Sequence, residues 1–158
     1  MQYGEQTIDG DEYYFDTDTG AMVTGEVERD GRYYYYDDET GAMLGLGEQI
    51  VRYAEKFLGT PYTWGGTSPD TGFDCSGFTQ SVYANFGVSL PRTSYEQQNA
   101  GTEVSYADAQ PGDLICYGGH VAIYMGNGRI VHASNSVDGI KISDNAAYRT
   151  IVSVRRLV

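Results

Sequence analysis

The stretch GFDCSGF, residues 72–78, decides how the chain is read. Glycines on both sides and an aspartate immediately before Cys75 describe the mouth of a helix rather than the middle of a buried strand. From Cys75 onward Phe78, Val82 and Phe86 recur at helical spacing, and Gly87 ends the run. A cysteine in the first turn of a helix faces unpaired N–H groups and the positive end of the dipole. That setting favours the thiolate and is expected to pull its pKa from about 8.5 to roughly 4 to 7.

Working outward, EQIVRYAEKFLG at 48–59 places Ile50, Val51, Ala54, Phe57 and Leu58 at helical spacing, and Gly59 with Pro61 stops that helix. Downstream the pattern turns to strands: DLICY at 113–117, HVAIYMG at 120–126, RIVHA at 129–133 and TIVSVRRLV at 150–158. GNG at 126–128 joins two of them as a tight hairpin. Helices first and an antiparallel sheet afterwards predict an α+β domain.

The chain has two histidines, His120 and His132, 12 residues apart in the two arms of that hairpin. The spacing brings both imidazoles together, so that His120 pairs with Cys75 and His132 orients His120, an arrangement of nucleophile, base and orienter. Two other readings stand beside it. A cysteine at a helix start also occurs as a structural residue, and one Cys with two His is a zinc-ligand set. For zinc, the local ligand spacing of a structural site is absent and no fourth ligand is evident. Cys116, inside the apolar DLICY, reads as a buried small hydrophobe.

Composition narrows the classes. The net charge of −12 is concentrated at the front: residues 1–46 carry 12 acidic and 2 basic side chains, net −10, and residues 47–158 carry 10 and 8, net −2. No cluster of Lys and Arg exists for phosphate contacts, so nucleic acid is excluded as the expected partner. Arg155 and Arg156 read as a solvated strand end. No 18-residue apolar run predicts a spanning helix. The N-terminus lacks a basic region followed by an apolar stretch, so no signal peptide is expected in this chain, which is compatible with a cut from a longer parent.

The front segment repeats itself. GDEYYFDTDTGAM at 10–22 realigns on GRYYYYDDETGAM at 31–43 with an offset of 21 residues, matching Tyr14 with Tyr35 and Asp16 with Asp37. DG at 9–10 and 30–31 supplies the turn before each aromatic strand. Two such hairpins are expected to lean on each other or on the domain after them. The predicted organisation is therefore 1–46, two aromatic hairpin repeats, and 47–158, the α+β domain.

Six motifs run in order through 47–158: PYTWGG at 61–66, FDCSGF at 73–78, LPRTSYEQ at 90–97, PGDLICY at 111–117, GHVAIYMGNGRIVHAS at 119–134 and the terminal strand. Together they resemble the catalytic domain of the NlpC-type bacterial cell-wall cysteine peptidases, a papain-like family. The resemblance implies a papain-like core with Cys75 as nucleophile, His120 as general base and His132 as the polar residue that holds the imidazole tautomer. It implies that Tyr62 lines the pocket and assists the oxyanion beside the backbone N–H of Cys75. Asp74 and Ser76 match positions that receive the amine end of a stem peptide, and Trp64 matches a substrate-side position expected to pack the pocket wall. Arg92, in LPRTS, is expected either to hold a loop or to meet a carboxylate and is left outside the catalytic set. No cofactor or metal is implied. The implied activity is hydrolysis of the γ-D-glutamyl to diamino-acid bond of peptidoglycan stem peptides, by a secreted or wall-associated protein that does not insert into a membrane. The nearest alternative is an amidase of the same fold cutting another wall amide bond. A different class is a catalytically silent wall-binding protein.

The front repeats resemble choline- and glucan-type cell-wall-binding units, which implies contact with wall polysaccharide through exposed rings, with Tyr13, Tyr14, Tyr34 and Tyr35 as candidates. Seven of the 15 tyrosines lie in 1–46. The tryptophans usual in such units are absent: Glu26 follows Gly25, Tyr13 precedes Tyr14, and the single Trp is Trp64. Trp faces build the best cage for a quaternary ammonium, with Tyr contributing less, which argues against choline. Alternate tyrosines packing the hairpins is the other reading of these rings. The Asp spacing does not match a 12-residue calcium loop.

Overall fold

The first aromatic repeat folds as a hairpin because its Asp-Gly pair takes the left-handed turn that right-twisted strands need. Asp9 and Gly10 have φ of 53° and 85°, joining β1 (Gly4–Ile8) to β2 (Asp11–Phe15). The second hairpin, β3 (Gly25–Arg29) and β4 (Arg32–Tyr36), has Gly31 at φ 79°. Its register reproduces the first at the 21-residue offset: Gly4 faces Phe15 and Gly25 faces Tyr36. The computed structural model describes residues 4–15, 19–29, 31–135 and 137–158. Asp30 of the second turn and Asp16 of the repeat alignment lie outside the described residues. The chain divides into two compact units, Met1–Gly45 and Leu46–Val158.

The second unit opens with α1 (Leu46–Glu55), which buries Gln49, Ile50, Val51 and Ala54. The helix ends three residues earlier than its apolar spacing predicts. Phe57 still packs on the core from the following turn, while Leu58 is exposed. Two short strands follow, β5 (Thr67–Ser68) and β6 (Gly72–Phe73), then α2 (Cys75–Ala84) and the single turn α3 (Ser94–Gln97). Gln97 is buried and explains why LPRTSYEQ sits on α2: its Nε2 donates to Ser76 O at 3.1 Å and Pro91 O at 2.9 Å, and its Oε1 accepts from Thr79 Oγ1 at 2.6 Å.

The remaining strands are β7 (Thr102–Val104), β8 (Leu114–Tyr117), β9 (His120–Gly126), β10 (Arg129–Ala133), β11 (Ile140–Ser143) and β12 (Ile151–Arg156). They form one antiparallel sheet in the order β11-β10-β9-β8-β12-β7. The sheet is covered on both faces. Val121, Ile123, Val131 and Ala133 pack with α1, α2 and an edge-on cluster of Phe57, Phe73 and Phe78. Ile115, Tyr117, Ala122, Tyr124 and Ile130 form a second cluster with Ala146 and Val154. Two-sided burial is why β8 and β9 read as near-continuous apolar runs rather than alternating ones.

Cys116 is buried as expected, and burial pushes its thiol up to about 11. The arginine pair near the end is not a solvated strand end. Arg156 donates to both oxygens of the buried Asp113 at 3.0 and 2.8 Å, and Arg155 Nε donates to Ala100 O at 2.6 Å. A buried carboxylate needs hydrogen-bonding partners, and β12 supplies them. No helix among the described residues is long and apolar enough to cross a membrane.

Candidate active site

Cys75 is the first residue of α2, and Asp74 is its N-cap, with extended backbone (φ −89°, ψ 179°) and a carboxylate oxygen accepting from Gly77 N at 2.7 Å. The glycine at 77 is required by packing. A Cβ there would fall on Gly66 O, because the first turn of α2 lies directly against the 63–66 turn. That turn is itself fixed: Gly66 N donates to Thr63 O at 2.8 Å and Asp74 N donates to Gly66 O at 3.0 Å.

Tyr62 is brought beside the helix start by two bonds to Phe73. Phe73 N donates to Pro61 O at 3.1 Å and Thr63 N donates to Phe73 O at 2.9 Å. Burial raises the Tyr62 pKa, and the neighbouring Cys75 and Asp74 raise it further, so the phenol stays protonated and able to donate.

The histidines occupy the sheet edge of this site. Gly118 and Gly119, the latter at φ 80°, turn the chain from Tyr117 into His120, which faces Tyr117 in the ladder. His120 is 6% exposed and His132 1%. His120 Nε2 lies 2.8 Å from His132 Nδ1, and His132 Nε2 lies 2.9 Å from Ser143 Oγ. Tyr117 stacks on the His120 ring at 5.7 Å, and Tyr148 covers Tyr117 and His132. Burial is the main cause that holds His120 down to about 3, with His132 and then Arg149 adding to it; burial, Lys141 and Arg149 hold His132 down to about 4. Both rings are therefore neutral near pH 7.

Cys75 meets this pair through the backbone. The backbone N–H of Val121, the residue after His120, and those of Ser76 and Cys75 itself lie on the side of the thiolate, each lowering the thiol pKa. Among the described residues the thiol makes no direct hydrogen bond to either imidazole. The expected depressed pKa is reversed. Cys75 is 8% exposed, and burial together with the Asp74 charge raises its pKa against the pull of the three N–H groups. The resting pair is neutral thiol and neutral imidazole.

Around the sulfur runs a groove of about 460 Å³ lined by Tyr62, Trp64, Asp74, Ser76, Arg92 and Tyr95, among others. Trp64 lines the groove from its rim, where it is 89% exposed. Asp74, expected to receive an amine, is already engaged by Gly77 N, by Gly65 N at 3.2 Å and by Arg92 Nη1 and Nη2 at 3.1 and 2.9 Å. Arg92 Nη1 also donates to Ser76 Oγ at 2.9 Å. Arg92 thus holds its loop and lies in the groove at once. Among the described residues no cluster of three or more His, Cys, Asp or Glu side chains is arranged to hold a metal ion.

Ser143 and Val121 N–H were not visible in the sequence. A backbone donor leaves no residue signal. Ser143 had one faint sign: in GIKIS, Ile140 and Ile142 alternate after RIVHA, as a further antiparallel strand would. In the front unit Tyr13, Tyr14 and Tyr34 are half-buried, but Tyr35 is 2% exposed and its hydroxyl donates to Glu26 at 2.9 Å. Tyr35 therefore offers no free stacking face.

Residues 59–156 match the profile of the NlpC/P60 family, and residues 3–45 match that of the choline-binding repeat. The bifunctional muramidase/DL-endopeptidase CwlT of Bacillus subtilis is 45% identical over 105 residues, covering 61% of this chain and 31% of that protein. The probable endopeptidase p60 of Listeria seeligeri is 50% identical over 97 residues, covering 58% of this chain and 18% of that protein. The chain spans less than a third of the length of either relative. Among solved structures, the NlpC/p60 domain of the peptidoglycan hydrolase SagA superposes with a TM-score of 0.66 at 36% identity, covering 72% of this chain and 100% of that one. The peptidoglycan hydrolase RipB from Mycobacterium tuberculosis gives 0.62 at 38% identity, covering 70% and 63%.

Proposed function

The chain belongs to the NlpC/P60 family, and from that premise we propose that it is a cysteine endopeptidase of peptidoglycan, cutting the γ-D-glutamyl to diamino-acid bond of stem peptides outside the cell or at the wall. The observation that carries the reading is the hydrogen-bonded line His120, His132, Ser143 beside a capped helix that begins with Cys75. In the substrate class, the relative CwlT is a DL-endopeptidase by name, and a bond from D-glutamate to an L-configured diamino-acid centre is of that kind.

The chemistry follows from proton placement. For His120 to take the thiol proton, its Nδ1 must be unprotonated. Its Nε2–H then donates to His132 Nδ1, and His132 Nε2–H donates to Ser143 Oγ. The sulfur attacks the amide carbonyl as its proton passes to His120. The oxyanion takes the backbone N–H of Cys75 and the Tyr62 hydroxyl, donors commonly contributing about 3 kcal/mol each. His120 returns the proton to the departing amine, leaving a thioester that water cleaves. A γ-linked glutamate keeps a free α-carboxylate, and Arg92 is the one cation among the groove-lining residues. Ser76, bonded to Arg92, offers a hydroxyl beside it. The front repeats are read as a wall-polysaccharide contact.

The test is mass spectrometry of purified muropeptides, containing either diaminopimelate or lysine, after incubation with the intact reduced protein and with Cys75→Ala. Release of fragments ending in γ-D-glutamate by the intact protein alone supports the reading. Release of whole stem peptides from the sugar would replace it with an amidase. A folded, reduced protein that cuts neither bond would replace it with a silent binding module.

A further inference from the structure

The guanidinium of Arg29 lies inside a group of tyrosines from both repeats. Its Cζ is 4.4 Å from the ring centroid of Tyr14, 4.3 Å from that of Tyr34 and 5.9 Å from that of Tyr36. All three distances are within the reach of cation–π attraction. Nη1 is paired with Glu5, and Nη2 donates to Tyr36 Oη at 2.6 Å. Nε is buried with no hydrogen-bond partner. Three aromatic faces and one carboxylate around a monocation with an apolar surface are the chemistry that recognises a quaternary ammonium.

The arrangement is particular to the junction of the repeats. Gly25, Val27 and Arg29 share one face of β3, opposite Tyr36 and Tyr34 of β4, while Tyr14 and Glu5 come from the first hairpin. At the 21-residue offset Arg29 corresponds to Ile8, which is exposed. Glu5 corresponds to Glu26, which instead accepts from Tyr35. The cation and its counter-charge therefore belong to different repeats.

We propose that Tyr14, Tyr34, Tyr36 and Glu5 form a cation site occupied by the chain's own Arg29, so that an external quaternary ammonium enters only by displacing it. The site holds the two hairpins together and is closed to choline in the native chain, although the residues around it match the choline-binding repeat profile. The proposal concerns the unit Met1–Gly45 and stands or falls apart from the peptidase reading.

Choline chloride is titrated into the full chain, with sodium chloride as the ionic-strength control, while the ring signals of Tyr14, Tyr34 and Tyr36 and the Arg29 Nε–H signal are followed by NMR. The native chain shows no saturable ring shifts over the range in which Arg29→Ala saturates, a difference in Kd of at least about tenfold. Arg29→Gln, which keeps all three rings, Glu5 and most of the side-chain length while removing the cation, gains likewise. Saturation of the native rings as tightly as in Arg29→Ala, with the Arg29 signal unmoved, overturns the proposal. So does a folded Arg29→Ala that gains nothing. Where Arg29→Ala loses its tyrosine near-UV circular dichroism, Arg29→Gln decides: a gain supports self-occupation, and no gain refutes it.

Discussion

Replacing Ser143 by alanine removes one hydroxyl that touches neither sulfur nor groove, yet it is expected to slow the enzyme. His132 must carry its proton on Nε2 if Nδ1 is to accept from His120, and Ser143 Oγ at 2.9 Å is the acceptor that favours that tautomer. Without it His132 gains access to the Nδ1–H form. That form confronts His120 Nε2 with a donor and forces the His120 proton onto Nδ1, where it blocks uptake from Cys75. A neutral hydrogen bond contributes about 1 kcal/mol net, which corresponds to about a fivefold fall in kcat/KM. His132 is 1% exposed, so its orphaned Nε2–H also costs about 1–3 kcal/mol of stability. Muropeptide cleavage gives the rate, urea unfolding gives the stability, and ¹⁵N shifts of the His132 ring give the tautomer directly. Ser143→Thr keeps an acceptor and is expected to recover most of the rate, which a merely structural loss would not do. An Ala variant with native kcat/KM and an unchanged His132 tautomer would refute the relay.

Three further outcomes rest on burial and packing. His120 and His132, held down to about 3 and about 4 from an ordinary 6.5, stay neutral in the fold while the unfolded chain takes up their protons. Stability is therefore complete above about pH 6.5 and falls as pH drops toward 4, with a limiting slope of about 1.4 kcal/mol per pH unit per histidine; flat urea midpoints across that window would contradict it. Since burial raises the Cys75 thiol, its iodoacetamide alkylation in a Cys116→Ala background should climb only above about pH 9, and a plateau already reached at neutral pH would show a preformed thiolate. Gly77→Ala sets a Cβ against Gly66 O and is expected to destabilise the peptidase unit by about 1–3 kcal/mol despite the better helix propensity of alanine, so an unchanged unfolding midpoint would count against the packing argument.

The reversal at Cys75 shows where sequence reading stops. FDCSGF announces a helix start because capping is local: Asp74 and the N–H of Gly77 are three residues apart, and any chain folding that way makes the same bond. The hairpin RIVHA and its partner strand are legible for the same reason, since period and turn residues lie within a few positions. Thiol ionisation is set instead by Val121 N–H and by how deeply the sulfur is enclosed, both products of sheet and helix meeting across 46 residues of chain. Ser143 is hidden although it lies only 11 residues from His132, because it becomes an orienter only once β11 pairs beside β10. For Arg92 the sequence leaves loop holding and carboxylate contact open, and the structure shows the Asp74 carboxylate reaching it across 18 residues. Arg29 fails to stand out for the opposite reason: its partners are close by, but an arginine at a hairpin end looks like solvated charge until two repeats bring three rings around it. If the thiol rests neutral, activation must accompany substrate entry. Removing water from the groove while bringing a carbonyl to the Tyr62 hydroxyl and the Cys75 N–H supplies a site for negative charge. On the proposed mechanism the proton then leaves sulfur for His120, and the burial that raises the thiol pKa ties cleavage to a fitting substrate.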